Sequence, residues 1–345
     1  MTANNLDFVR LVAAGMVLYG HSFALLGIKE PLFLSWLPLG PLGVYIFFTI
    51  SGYLVSESWD RDPHLARFFA RRLLRIVPGL VVCIALSVLV LGPLMTTLAL
   101  RDYFSSKYTW GYFQNILLHI VYYLPGVFEH NKIPNAVNGS IWSLPVEFLM
   151  YIVVATVGLV SKSRWLSLIL AIGSAVICLN WAQVSSEMLV VYNFDLRQAF
   201  ICGTYFWVGA CFYKFALRAH LSLTVGMLAL FAMICLEPWT RALALATWVL
   251  LPVVVLTFGF AQSSTLSRLT RSGDYSYGIY IYAFPIQQTV AVLLPDLGIG
   301  TYILMCLLSS LILAILSWHL VERTALAFKP VRIVQGAIQT PRPAG

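Results

Sequence analysis

Apolar runs of about 20 residues, separated by short polar stretches, recur along almost the whole chain, and a helix of that length crosses the hydrocarbon core of a bilayer. Ten such runs are present: Leu6–Gly27, Leu37–Ser56, Leu73–Leu94, Ile141–Val160, Trp165–Gln183, Gln198–Phe215, Leu221–Leu236, Ala242–Phe260, Tyr275–Leu294 and Thr301–Val321. The pattern predicts an all-α polytopic membrane protein with about ten transmembrane helices. The stretch Trp110–Val127 is apolar too, but Gln114, Asn115 and His119 place it at the membrane surface rather than across it. Leu65, Phe68 and Phe69, at i, i+3 and i+4, predict an amphipathic helix on the inner surface just before the third run.

Composition supports this reading. The chain is 60% hydrophobic and 10% charged, with a mean hydropathy of +0.84, too few charges to cover a water-soluble globule of 345 residues. Its net charge of +8 does not point to nucleic acid, because the basic residues fall in short clusters between apolar runs. With ten crossings both termini share one side. If that side is the cytoplasm, sixteen of the 22 Lys and Arg residues lie inside and six outside, the asymmetry the positive-inside rule requires. Cys83, Cys178, Cys202, Cys211, Cys235 and Cys306 lie in apolar runs without metal-type spacing. No metal site is expected. Phe8 to Leu26 is too long for a signal core and contains Arg10 and His21.

Ionisable groups inside such runs are costly and mark candidate chemistry. His21 follows Arg10 by eleven positions in the first run, about 16 Å further along a helix. The plainer reading is a histidine satisfied by a neighbouring helix. Arg71, Arg72 and Arg75 open the third run; positions 71 and 75 share a face, and forked guanidiniums suit phosphate oxygens. Basic residues at a helix end also simply fix topology. Glu147, entering from outside near Ile141, is expected at about the depth of His21, where it would orient the imidazole. The alternative is a structural pair with an arginine. The ninth run carries Tyr275, Tyr277, Tyr280, Tyr282, Gln287 and Gln288, and such a helix is expected to line a cavity.

The chain resembles the acyltransferase-3 family of bacterial membrane O-acyltransferases. The resemblance rests on Asp7-Phe8-Val9-Arg10 with His21 eleven positions after Arg10, Phe47-Phe48-Thr49-Ile50-Ser51-Gly52-Tyr53-Leu54 and Arg71-Arg72-Leu73-Leu74-Arg75-Ile76-Val77-Pro78. Trp142-Ser143-Leu144-Pro145-Val146-Glu147-Phe148, Ser276-Tyr277-Gly278-Ile279-Tyr280 and Val321-Glu322-Arg323 follow in order. It implies ten spans, a cytoplasmic acyl-CoA donor (acetyl-CoA by default) and a glycan or glycolipid acceptor outside. His21 becomes the catalytic residue, assisted by Glu147, and Arg71, Arg72, Arg75 and Arg10 the site for the CoA phosphates. Where the family often has Trp-His after the ninth-run tyrosine, this chain has Tyr282-Ala283, so a role for that histidine does not carry over. Residues 1–323 form one membrane-embedded acyltransferase domain on this reading. Residues 324–345 form a cytoplasmic tail, with both termini inside the bacterial cytoplasmic (inner) membrane. A transporter or flippase of a lipid-linked glycan is the alternative, and acyl-CoA dependence separates the two. A sensor or structural membrane protein would leave the His21, arginine and Glu147 set unexplained.

Overall fold

The computed structural model describes residues 4–181 and 189–330. Each of the ten apolar runs is helical: α1 Leu6–Leu26, α2 Leu39–Arg61, α3 Leu65–Leu86, α4 Ser143–Val160, α5 Trp165–Leu179, α6 Leu196–Lys214, α7 Leu223–Cys235, α8 Thr240–Phe260, α9 Ser276–Leu293 and α10 Ile299–Ser317. Two short antiparallel strand pairs, Leu32–Phe33 with Leu37–Pro38 and Val190–Val191 with Phe194–Asp195, lead into α2 and α6. The expected end of the fifth run, Gln183, lies outside the described residues, as does the tail beyond Pro330.

Among the described residues six helical stretches are long and apolar enough to cross a membrane: Leu6–Leu26, Leu39–Arg61, Leu65–Met95, Ser140–Val160, Thr240–Phe260 and Ile299–Ala327. The expected count of about ten is not reached by length and composition. Helices α5 and α7 are apolar but only 15 and 13 residues long. Helices α6 and α9 are longer but rich in tyrosine and polar side chains, and most of their residues are buried. A helix enclosed by others need not be apolar all round. The lipid-facing helices show the reverse: Leu304, Leu308, Ile312 and Leu316 make an exposed apolar row along α10.

Helix α2 sits at the centre, packed against α6 and α1, while α9 packs on α10 and α1. Without water to drive helices together, close association depends on small residues that let backbones approach. A Cβ at Gly52 would strike the Phe206 carbonyl, and one at Gly209 the Thr49 carbonyl, so the two glycines seat α2 and α6 reciprocally. Gly52→Ala is therefore expected to cost about 1–3 kcal/mol as overpacking. A thermal unfolding midpoint in detergent equal to that of the unaltered protein would refute so close a contact.

Three sequence expectations change. The surface helix at Leu65–Phe69 is not separate: α3 begins at Leu65, and Phe68 is fully buried. The boundary expected after residue 323 is not a break in the chain, since helix continues over Arg323–Ala327. The segment between Met95 and Ser140 is short helices as far as Leu117 and irregular chain beyond, yet Tyr103, Tyr112, Leu124 and Val127 within it have no exposed surface. Asn115 holds part of it, donating from Nδ2 to the Tyr112 and Val121 carbonyls at 2.8 and 2.9 Å and accepting the Val121 N–H at 2.9 Å.

This segment dives into the bundle because of a proline. Pro285 has no N–H to give the Ile281 carbonyl one turn back. Asn138 Nδ2 takes its place, donating to Ile281 O at 2.8 Å, and Cys83 Sγ approaches the same oxygen at 3.3 Å. Gln288 Nε2 donates to the carbonyls of Ile133 and Ala136, both at 2.8 Å. Helix α4 consequently starts inside the protein, beside the middle of α9.

Candidate active site

One face of α2 runs the length of two cavities. Gly40 and Pro41 line the first, Phe47, Phe48, Ser51, Leu54, Val55 and Ser58 the second, and Val44 both. That spacing of three and four is one side of a helix.

The second cavity, about 530 Å³, is lined by Arg10, Arg71, Arg72, Arg75 and Lys329. The four arginines singled out in the sequence are thus brought together, but they are not equivalent. Arg10 Nη1 lies 3.4 Å from Asp274 Oδ2, and Arg75 pairs with the same oxygen. Arg71 pairs with Asp62 at 2.7 Å, and Arg67 with the other oxygen of that carboxylate at 2.6 Å. Arg72 forms no ion pair among the described residues. Its Nη2 donates to Ser58 Oγ at 3.0 Å, and its guanidinium lies 5.8 and 5.7 Å from the ring centres of Phe68 and Tyr151. The Nε groups of Arg10, Arg71 and Arg72 are buried without a hydrogen-bond partner. Such donors are costly to leave unpaired, and an entering anion would satisfy them.

Charge balance reinforces this. Hydrogen bonds from Arg67 and Arg71 hold the Asp62 carboxyl well below the usual carboxylate range. Burial alone would push Asp274 up, but Arg75, Arg10 and the Ser276 donors outweigh it and hold its carboxyl down. Burial, followed by the field of Arg75, Arg72, Arg10 and Arg71, lowers the Lys329 ammonium. Asp62, Asp274 and Lys329 were missed as contributors to the site. Asp274 pairs with arginines 264 and 199 positions away, separations that carry no local signal.

The first cavity, about 500 Å³, holds His21 together with Glu30, Tyr45, Tyr122, Trp142, Asp195 and Gln198. Among the described residues no Lys or Arg lines it. His21 meets the Phe284 ring edge-on, 5.2 Å between centres, and its Nδ1 is buried without a partner. Gln287 fixes the helix around it, donating from Nε2 to Leu18 O at 2.8 Å and Ser22 Oγ at 2.7 Å. The polar face expected of the ninth run therefore divides. Ser276, Tyr277 and Tyr280 line the arginine cavity, whereas Gln287 and Gln288 tie segments together.

Glu147 is not beside His21. It lines the arginine cavity, accepting from Ser51 Oγ at 2.9 Å and Tyr151 OH at 2.6 Å. Ile141 is not at a membrane boundary, because Ser140 and Ile141 are buried inside the protein. Glu147 therefore lies deeper, towards the arginine end. The carboxylates in the histidine cavity are instead Glu30, which accepts the Gly40 N–H at 2.8 Å, and Asp195. Among the described residues no group of three or more His, Cys, Asp or Glu is placed to hold a metal ion.

The family model described as an acyltransferase domain matches residues 3–319. An O-acetyl transferase of Shigella phage Sf6 is 31% identical over 325 residues, covering 93% of this chain and 95% of the relative. Nodulation protein 10 of Rhizobium leguminosarum bv. viciae is 28% identical, covering 94% of each chain. The peptidoglycan O-acetyltransferase OatA of Listeria monocytogenes is 27% identical over 132 residues, 34% of this chain and 20% of that protein. No solved structure matches. With the family model spanning nearly its whole length, this chain belongs to the acyltransferase-3 family and is a membrane acyltransferase of the O-acetyltransferase kind.

Proposed function

We propose that the protein transfers an acyl group, acetyl by preference, from CoA at the cytoplasmic face to a hydroxyl of an extracytoplasmic or lipid-linked glycan. In this reading the chain lies in the bacterial cytoplasmic membrane with ten crossings and both termini inside, so the arginine cavity opens to the cytoplasm. The observation that carries it is a pair of cavities of opposite chemistry meeting inside one bundle. One offers unpartnered guanidinium N–H groups, which fit the phosphates of CoA. The other offers His21, aromatic rings and carboxylates, which fit an uncharged, hydroxyl-rich acceptor. The relatives named O-acetyl transferase and peptidoglycan O-acetyltransferase favour acetyl as the group and a glycan as its acceptor.

A ring nitrogen of His21 takes the proton of the acceptor hydroxyl as its oxygen attacks the thioester carbon. The C–O bond forms, the C–S bond breaks, and the CoA thiolate leaves. The imidazolium then returns its proton to the thiolate, leaving an ester, a thiol and neutral His21. Arg72 and the Nε groups of Arg71 and Arg10 hold the donor. Arg75, committed to Asp274, shapes the wall.

Among the described arginines that line this cavity, Arg72 is the one without a carboxylate partner, so its loss reads donor binding most directly. In liposomes, Arg72→Leu is expected to weaken acetyl-CoA binding about 10–100-fold, the worth of a hydrogen bond to a charged group. A purified protein with no affinity for acetyl-CoA would overturn the reading and favour transport of the glycan.

A further inference from the structure

Two side chains, Val44 on α2 and Tyr280 on α9, line both cavities, and both are buried. They form the partition between the arginines and His21. Both are held stiffly. Tyr280 OH donates to the Ser140 carbonyl at 2.7 Å. With its hydrogen so used, it accepts from Ser143 Oγ at 2.5 Å. Phe47 braces its ring from the arginine side, 5.7 Å between centres and nearly edge-on. Val44, β-branched within a helix, has one strongly preferred rotamer.

We propose that Val44 and Tyr280 form a gate that sets the length of the acyl group. The proposal rests on the reading of CoA as donor in the arginine cavity. His21 lies beyond the partition, so the acyl end of the donor must pass between these two side chains to reach it. An acetyl group threads the gap. Each further methylene must displace a valine locked in its rotamer or a tyrosine pinned at its hydroxyl. A misfit of one methylene in a packed pocket is worth about 10–200-fold in discrimination. Ser140 and Ser143, which pin Tyr280, flank Trp142 at the start of α4, and Trp142 lines the histidine cavity. The wall of the acceptor site and the latch of the gate are thus one short stretch of chain.

The test uses stable thioether ketones in place of thioesters, S-acetonyl-CoA for acetyl and S-(2-oxopentyl)-CoA for butyryl. Their binding, with that of CoA, is measured by calorimetry on the purified protein in detergent. The unaltered protein is expected to bind CoA and the short analogue well and the long analogue at least ~10-fold more weakly. Val44→Ala, which removes two methyl groups, narrows that ratio severalfold. Tyr280→Phe, which loses both hydroxyl bonds, narrows it as well and guards against misfolding of either variant. If CoA binds and the two analogues bind equally to the unaltered protein, the gate is overturned. It is overturned too if the ratio is the same in both folded variants. If CoA itself does not bind, the donor reading falls and the gate with it.

Discussion

His21→Ala is expected to lower acyl transfer by about two to four orders of magnitude, the usual worth of a positioned general base, without unfolding the protein. The stability half follows from what His21 does not do. Its Nδ1 has no hydrogen-bond partner, so truncation strands no buried donor or acceptor. What is lost is an edge-on contact with Phe284. Meanwhile α1 stays tied to α9 through Gln287, Leu18 and Ser22. Donor affinity should also survive, since the arginines line the other cavity. The check is a rate of CoA release in membranes containing acceptor, read beside the unfolding midpoint and acetyl-CoA affinity of the same preparation. Normal turnover in a folded variant would remove His21 from the chemistry. Loss of donor binding together with turnover would make it a structural residue.

The helices were legible because apolar length is a local property. All ten runs are helical, displaced by a few residues at most of their ends. Harder to see was which helices meet lipid: α6 and α9 are polar because they are enclosed, and enclosure is decided by the other helices. The arginine site was half legible. The spacing of Arg71 and Arg75 put them on one face, but not the aspartates that neutralise some of these cations and leave Arg72 without one. Asp62 lies nine positions from Arg71, and Asp274 lies 199 from Arg75. The pairing of His21 with Glu147 failed for a nonlocal reason. It assumed that α4 starts at the membrane boundary, whereas the carbonyl freed by Pro285 draws Asn138, and the start of α4 with it, into the bundle. Glu30, one of two carboxylates among the described residues that share the cavity of His21, sits in a loop and gives no signal of its own.

The largest loss of stability is expected at Asp274. Its Oδ2 is shared by Arg10 and Arg75, and its Oδ1 accepts the Ser276 N–H at 3.2 Å and the Ser276 hydroxyl at 2.5 Å. Its side chain is only 11% exposed, and those of Arg10 and Arg75 are 20% and 18% exposed. Removing one member of such a group leaves its partners desolvated and uncompensated, at a cost of about 3 kcal/mol or more. Here the strain is compounded, because Arg71, Arg72 and Lys329 line the same cavity. Asp274→Ala loses both the charge and the Ser276 bonds, whereas Asp274→Asn keeps an oxygen for Ser276 and should be less damaging. An anion in the cavity would offset the surplus positive charge, so CoA is expected to raise the unfolding midpoint of Asp274→Asn more than that of the unaltered protein. Equal increments would show that the aspartate and the ligand do not act on the same cations. Acidity gives a second check. Because the folded-state pKa of Asp274 lies below its unfolded value, its contribution is fully present above about pH 4 and is lost as the pH falls through the folded value. The gap in stability between the unaltered protein and Asp274→Asn should therefore be constant near neutrality and close on acidification. A gap that persisted at low pH would mean that Asp274 acts by its shape rather than its charge.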